Sequence, residues 1–126
     1  MVTWILWALI LVILAWMGFN YLRIRRAAKI VDNEEFEALI RTGQLIDLRD
    51  PAEFHRKHIL GARNIPSSQL KTSLAALRKD KPVLLYENQR AQRVTNAALY
   101  LKKQGFSEIY ILSYGLDSWK GKVKTS

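Results

Sequence analysis

The chain has 126 residues, with 20 lysines and arginines against 11 aspartates and glutamates, a formal net charge of +9 and no cysteine. The missing cysteine excludes a disulfide framework, a thiolate nucleophile and every thiolate-ligated metal site. The length allows one apolar segment and one domain with a single core. The basic balance favours acidic partners or an anionic surface.

The first segment, Val2 to Leu22, is uncharged and mostly apolar: VTWILWALILVILAWMGFNYL. At about 1.5 Å per residue it reaches the roughly 30 Å needed to cross a bilayer. Trp4 and Tyr21 lie near its opposite ends as interface residues. No basic stretch precedes it and no small-x-small cleavage pattern follows it, so it reads as a retained anchor rather than a removed signal. Arg23, Arg25, Arg26 and Lys29 follow at once. The positive-inside rule then places the N-terminus outside a cell membrane and the rest of the chain, crossing once, in the cytoplasm. The same cluster suits anionic lipid headgroups. The expected organisation is a transmembrane anchor over 1–22, a basic juxtamembrane linker over 23–30 and a folded domain over 31–126.

Within the domain, Phe36, Leu39 and Ile40 at helical spacing predict a helix from Asn33 to Thr42, stopped at Gly43. Strands are expected at 45–48, 63–65, 83–86 and 109–112, and further helices at 51–56, 67–78, 91–104 and 114–120. This alternation predicts an α/β fold, a mostly parallel sheet covered by helices on both faces. Ligand sites in such sheets lie beyond the carboxyl ends of the strands.

Three motifs carry the chemistry. The first runs from Leu45 to Pro66. The apolar strand ends in Asp47-Leu48-Arg49, and a helix follows with Asp50 as N-cap, Pro51 at its first position and Glu53 placed to complete a capping box. His58-Ile59-Leu60-Gly61-Ala62 then leads into Arg63-Asn64-Ile65-Pro66. The second is the buried strand Pro82-Val83-Leu84-Leu85-Tyr86, followed by Glu87-Asn88-Gln89-Arg90-Ala91-Gln92-Arg93 and a helix with Val94, Ala97, Ala98 and Leu101 on one face. The third is Ile109-Tyr110-Ile111-Leu112 and the turn Ser113-Tyr114-Gly115-Leu116-Asp117-Ser118-Trp119.

The first motif closely resembles the signature of rhodanese-like domains, with its "D-x-R" and "HI-x-GA-x-x-IP", and the third resembles their "GG-x-x-x-W" turn with Tyr114 in place of the first glycine. The resemblance covers roughly residues 31 to 126. It implies the rhodanese-like topology and a sulfur-carrying cysteine directly after the 83–86 strand. Here that position is Glu87, and Asn88, Gln89 and Arg90 replace a small, glycine-containing loop. In that family a thiolate accepts a sulfane sulfur and holds it as a persulfide, inside a nest of backbone N–H groups at a helix N-terminus. A carboxylate forms no persulfide. The phosphatase relatives of the fold also need cysteine, so the substitution argues against both activities.

Each candidate residue also has a plainer reading. Glu87 either folds into the nest as a built-in anion or is a solvent-facing glutamate at a site that binds nothing; a lone carboxylate makes a poor catalytic constellation. Arg90 and Arg93 form either a basic rim for an oxyanion or acidic partner, or a solvated helix start. His58 matches a family position that bonds across its loop, and His55 is expected on the exposed face of its helix. With no further ligands nearby, no metal is expected, nor any cofactor. Asp47 and Arg49 are expected to tie the strand end to neighbouring loops, and Trp119 to pack in the core.

The four cations from Arg23 to Lys29 leave the domain a net charge of +5, weighted toward Lys102, Lys103, Lys120, Lys122 and Lys124. No aromatic–basic interleaving marks a nucleic-acid binder, so none is expected as a partner. The expected function is a membrane-anchored, catalytically inactive rhodanese-like domain that binds a protein or a small oxyanion through Glu87 to Arg93. The alternative is a sulfurtransferase-type enzyme that relies on a partner's cysteine.

Overall fold

The structure, a computed structural model, describes residues 2–89 and 92–125, without the side chains of 23–27. Helix α1 (Val2–Ala27) is followed after one residue by strand β1 (Lys29–Val31), then α2 (Asn33–Ile40), β2 (Gln44–Asp47), α3 (Pro51–Arg56), β3 (Lys57–Ile59) and β4 (Arg63–Asn64). Two 3-10 turns (Ser67–Gln69 and Leu74–Ala76) lead to β5 (Val83–Tyr86), α4 (Gln92–Lys103), β6 (Ile109–Leu112), a third 3-10 turn (Leu116–Ser118) and β7 (Val123–Thr125).

Five strands form one all-parallel sheet in the order β1-β6-β5-β2-β4, while β3 and β7 pair antiparallel beside it. The register aligns Gln44 with Val83 and Val83 with Ile109, so the strand starts share one edge and their ends the other. Both faces of the central strands are apolar, as a parallel sheet covered on two sides requires. Ile46, Val83, Leu85, Ile109 and Ile111 pack with Val94, Ala97, Ala98 and Leu101 of α4 and with Leu70 and Leu77. Leu45, Leu84, Tyr86 and Leu112 face the other way, onto Phe36 of α2 and Leu116. Alternate residues of one strand thus feed two cores.

Val2–Leu22 is exposed along its length and is long and apolar enough to cross a membrane. Asp32 caps α2, its carboxylate accepting the Glu35 N–H at 2.9 Å.

Three local expectations need correction. Residues 67–78 form two 3-10 turns instead of one helix. Their leucines sit at helical spacing, but Thr72 Oγ1 donates to the Gln69 carbonyl at 2.9 Å and the chain tightens onto i→i+3 bonds. Hydroxyl side chains compete with the helix in this way, and a segment this short has little helical stability of its own. The last expected helix, 114–120, is only the 3-10 turn Leu116–Ser118. Asp50 does hold the N-cap position, with Pro51 at the start of α3, but makes no side-chain capping bond. β1, β3 and β7 were not foreseen, since three-residue strands carry too little periodicity to read.

Candidate functional site

The carboxyl ends of β2 and β5 lie side by side, with Asp47 opposite Tyr86. Asp47 is fully buried and accepts from every direction open to it. Its Oδ1 takes the Arg49 backbone N–H at 2.9 Å and Arg49 Nε at 3.1 Å; its Oδ2 takes Arg49 Nη2 at 2.8 Å and the Tyr86 hydroxyl at 2.7 Å. The Tyr86 hydroxyl accepts in turn from the Ile59 N–H at 3.1 Å. Arg49 reaches on from Asp47 to the Lys57 carbonyl and, through Nη1, to Asn88 Oδ1 at 3.0 Å. Asn64 donates its amide to the carbonyls of Asp47 and Arg49 at 3.2 and 2.9 Å.

This network joins four stretches of the chain at one point: 47–49, 57–59, 64 and 86–88. A buried ion pair survives only where hydrogen bonds satisfy both partners, and here they do. Burial works against the Arg49 charge, but the bonds and charge of Asp47 outweigh it and raise the Arg49 pKa above its ordinary value. Burial, reinforced by the Asp47 carboxylate, pushes the Tyr86 phenol well above its usual range. The neutral phenol is therefore the form this site holds.

Directly after Tyr86, the chain turns inward at Glu87. Its side chain is buried, not solvent-facing, and Oε2 accepts the N–H of Val94 at 2.8 Å. Helix α4 has no acidic residue in its own first turn. The open N–H groups of a helix start attract negative charge, and Glu87 meets that demand from the strand side. Its carbonyl is also used, accepting Leu116 N–H at 2.8 Å, and that of Asn88 accepts Asp117 N–H at 3.0 Å.

Gly115 permits this clamp. Its φ is +69°, and a Cβ there would stand 2.5 Å from the Glu87 carbonyl oxygen and closer still to that of Asn88. Both facts demand glycine. Tyr114, in the place of the other motif glycine, stands out to solvent with 71% of its surface exposed. Trp119, half-buried at the edge of this core, packs edge-on against Phe36 at 5.8 Å.

The residues of the first motif serve the frame. His58 Nδ1 donates to the Phe54 carbonyl at 2.7 Å, and its ring stacks on Phe54 at 3.8 Å, closing the end of α3. Gly61 turns the chain at φ +91°, and the Ala62 N–H bonds to the Ile59 carbonyl at 3.0 Å. His55 lies on the exposed side of α3 with its ring edge near Phe54.

The described residues of the loop that follows line separate depressions. Asn88 turns to Arg49, and with Arg56, Lys57 and Asp117 lines an open depression of about 260 Å³. Gln89 turns to Asp117, at 3.4 Å, and borders a second depression with Ser113 and Tyr114. Gln92 bonds Asn96 along α4 at 2.8 Å. Arg93 lines a mainly apolar cleft of about 350 Å³ between α4 and the first 3-10 turn, with Lys71 and Tyr100. Arg90 and Ala91 lie outside the described residues. Among the described residues, no three histidine or acidic side chains converge as metal ligands.

Sequence reasoning passed over Tyr86, Asn64 and Val94. Tyr86 ends an apolar run and reads there as core; only its register with Asp47 shows that its hydroxyl completes the network. Val94 acts through its backbone, which no side-chain pattern announces.

Comparison with known proteins agrees with this architecture. Residues 32–122 match the rhodanese-like domain family. The chain is 49% identical over 109 residues to the uncharacterized protein YqhL of Bacillus subtilis, covering 86% of each chain. It is 36% identical over 95 residues to the thiosulfate sulfurtransferase GlpE of Stutzerimonas stutzeri, covering 73% of this chain and 84% of that one. In structure it resembles the rhodanese-related protein of Thermoplasma volcanium (TM-score 0.70, 23% identity, 78% and 99% of the two chains). The BH2092 protein of Bacillus halodurans is also similar (TM-score 0.69, 21% identity, 88% and 84%). With the sheet order, the sequence match and the interlocked strand ends in agreement, this chain belongs to the rhodanese-like domain family.

Proposed function

We propose that this protein is a membrane-anchored rhodanese-like domain that has exchanged sulfur transfer for protein binding. The observation that carries the reading is Glu87. It follows β5 where the family resemblance puts the sulfur-carrying cysteine, and its carboxylate is spent on the Val94 N–H. The chain holds no other cysteine to take over the chemistry.

The same carboxylate speaks against a small-oxyanion site, because an incoming anion would have to expel Glu87 from the start of α4. What the loop leaves exposed is a surface: Gln89, Arg93 and the aromatic Tyr114. Exposed tyrosine beside a polar residue, here Tyr114 with Gln89, suits a protein contact. The apolar span and the arginines after it support an outside N-terminus and a domain facing the cytoplasm.

Two measurements test this. Purified protein should form no thiocyanate from thiosulfate and cyanide above the uncatalysed rate; turnover would sink the binding-only reading. Full-length protein should capture a partner from membranes, and Gln89→Ala with Tyr114→Ala should release it. Retention of the partner by that double variant would move the interface off the loop. Glu87 is unsuited to this second test, because its loss also weakens α4.

A further inference from the structure

The parallel sheet gives the domain two unlike ends, and α1 joins only one of them. Only Ala28 separates α1 from β1, and Ala28 is buried in the same core as Leu101 and Phe106. α1 also touches α4. The amino end of β1 is therefore held roughly 10 Å, at helical rise, from Leu22, where the apolar span stops.

The turns gathered at that end carry cations. Arg41 follows α2 and precedes β2, Lys79 and Lys81 precede β5, and Lys102 and Lys103 lead out of α4 toward β6. All five are exposed. The turns are tied to one another: Gln44 N–H donates to the Pro82 carbonyl at 2.8 Å and Val83 N–H to that of Glu108 at 2.9 Å. Gln44 Nε2 reaches the Arg78 carbonyl at 2.7 Å, and a Cβ on Gly105 would lie 3.5 Å from Lys79 Nζ, so Lys79 reaches the turn that follows α4. Counter-charge at this end is scarce. Asp80 is held by Arg78 at 2.6 Å, which leaves the exposed Glu37, one helical turn before Arg41, and the exposed Glu108. Among the described residues none of the five cations joins an ion pair.

We infer that the amino end of the sheet docks on anionic phospholipid headgroups through Arg41, Lys79, Lys81, Lys102 and Lys103. This rests on Val2–Leu22 crossing a membrane. A separation of roughly 10 Å is about one Debye length at 0.1 M salt, so the nearest of these charges still act on the surface, at about a third of their unscreened strength. They add to the cations that Arg23, Arg25 and Arg26 supply in the sequence directly after the span. Docking by this face turns the opposite end, with Gln89 and Tyr114, away from the bilayer and toward soluble partners.

The cysteine-free chain allows a direct test with full-length protein in lipid nanodiscs. A donor dye is attached at Ser107→Cys, in the turn before β6, or at Gln89→Cys, at the opposite end; an acceptor dye is carried on the headgroups. Replacing phosphatidylcholine by a mixture containing phosphatidylglycerol should raise energy transfer from position 107 and not from 89. The gain should vanish in about 1 M salt. It should also vanish when Lys79, Lys81, Lys102 and Lys103 are changed to glutamine, with the docked fraction falling on the order of fivefold per cation removed. No gain at 107, or an equal gain at both positions, overturns the docking. Alkaline extraction of the protein from membranes separates the two failures. Release overturns the span and the docking together, whereas retention without a gain at 107 overturns the docking alone.

Discussion

The two ends of the sheet are built on opposite principles. At the carboxyl end, Asp47, Arg49, Tyr86, Asn64 and Glu87 are buried or half-buried, and each is tied to another segment by bonds of about 3 Å. At the amino end the charges stand in solvent, and the ion pair of Arg78 with Asp80 is itself exposed. The contrast teaches that the frame at the carboxyl end is held by its own buried bonds and needs no reactive group to stand. The buried network fixes where β2, β5, α3 and the 113–119 turn meet, so the fold depends on it whether or not a cysteine follows Tyr86. The exposed end carries no such duty, and its composition is free to follow what lies outside the molecule.

Substitutions should break this comparison in a definite order. Asp47→Ala should do the most damage, about 3–5 kcal/mol in urea unfolding, because it strands the Arg49 charge in the interior and removes the acceptor of Tyr86. A loss under about 1 kcal/mol would mean that water already reaches the network.

Tyr86→Phe should cost less, about 1–3 kcal/mol, by leaving the Ile59 N–H without its acceptor. It also carries a pH signature. The folded state holds the phenol neutral, with its pKa above the unfolded value of about 10. Its contribution is therefore complete below that value and is lost as pH rises past it. The parent protein should weaken progressively above about pH 10, and Tyr86→Phe should remove the tyrosine part of that slope, as denaturant titrations across the alkaline range would reveal.

Glu87→Ala should lower stability by about 1 kcal/mol through the start of α4, with faster hydrogen exchange at the Val94 amide as the local readout. Glu87→Gln should fall between the two, since it keeps an acceptor and loses the charge. Unchanged exchange at Val94 would break the link between this carboxylate and the helix. At the other end, changing Lys102 and Lys103 to glutamine should leave unfolding within about 0.5 kcal/mol of the parent. A larger loss would show that the amino end supports the fold after all and would blunt the contrast.

Much of this was legible in the chain itself. The β5 run and the Val94, Ala97, Ala98, Leu101 face of α4 are long and periodic enough to declare themselves, and α3 lies between the residues expected. The leucines of 67–78 keep helical spacing and so read as one helix, while the Thr72 hydroxyl donates to the Gln69 carbonyl locally and the chain forms two 3-10 turns. Lys57–Ile59 and Val123–Thr125 become strands only by meeting each other, from opposite halves of the domain. Within the site, Asp47 and Arg49 showed themselves as a pair, but the convergence of Tyr86, Asn88, Asn64 and Lys57 upon them depends on partners far away in sequence.

What the sequence determined by itself is therefore the local and the categorical. It sets an apolar segment followed by arginines, a set of strand and helix periods, and the absence of any sulfur nucleophile, each a property of neighbouring residues or of composition. Only the tertiary structure decided where Glu87 points. A glutamate after a strand is free to face water or the start of the next helix, and nothing within a few residues chooses between them. The choice falls inward because β5 and α4 share a core that brings the Val94 N–H within 2.8 Å of the carboxylate, and an open helix end there is an acceptor's natural place.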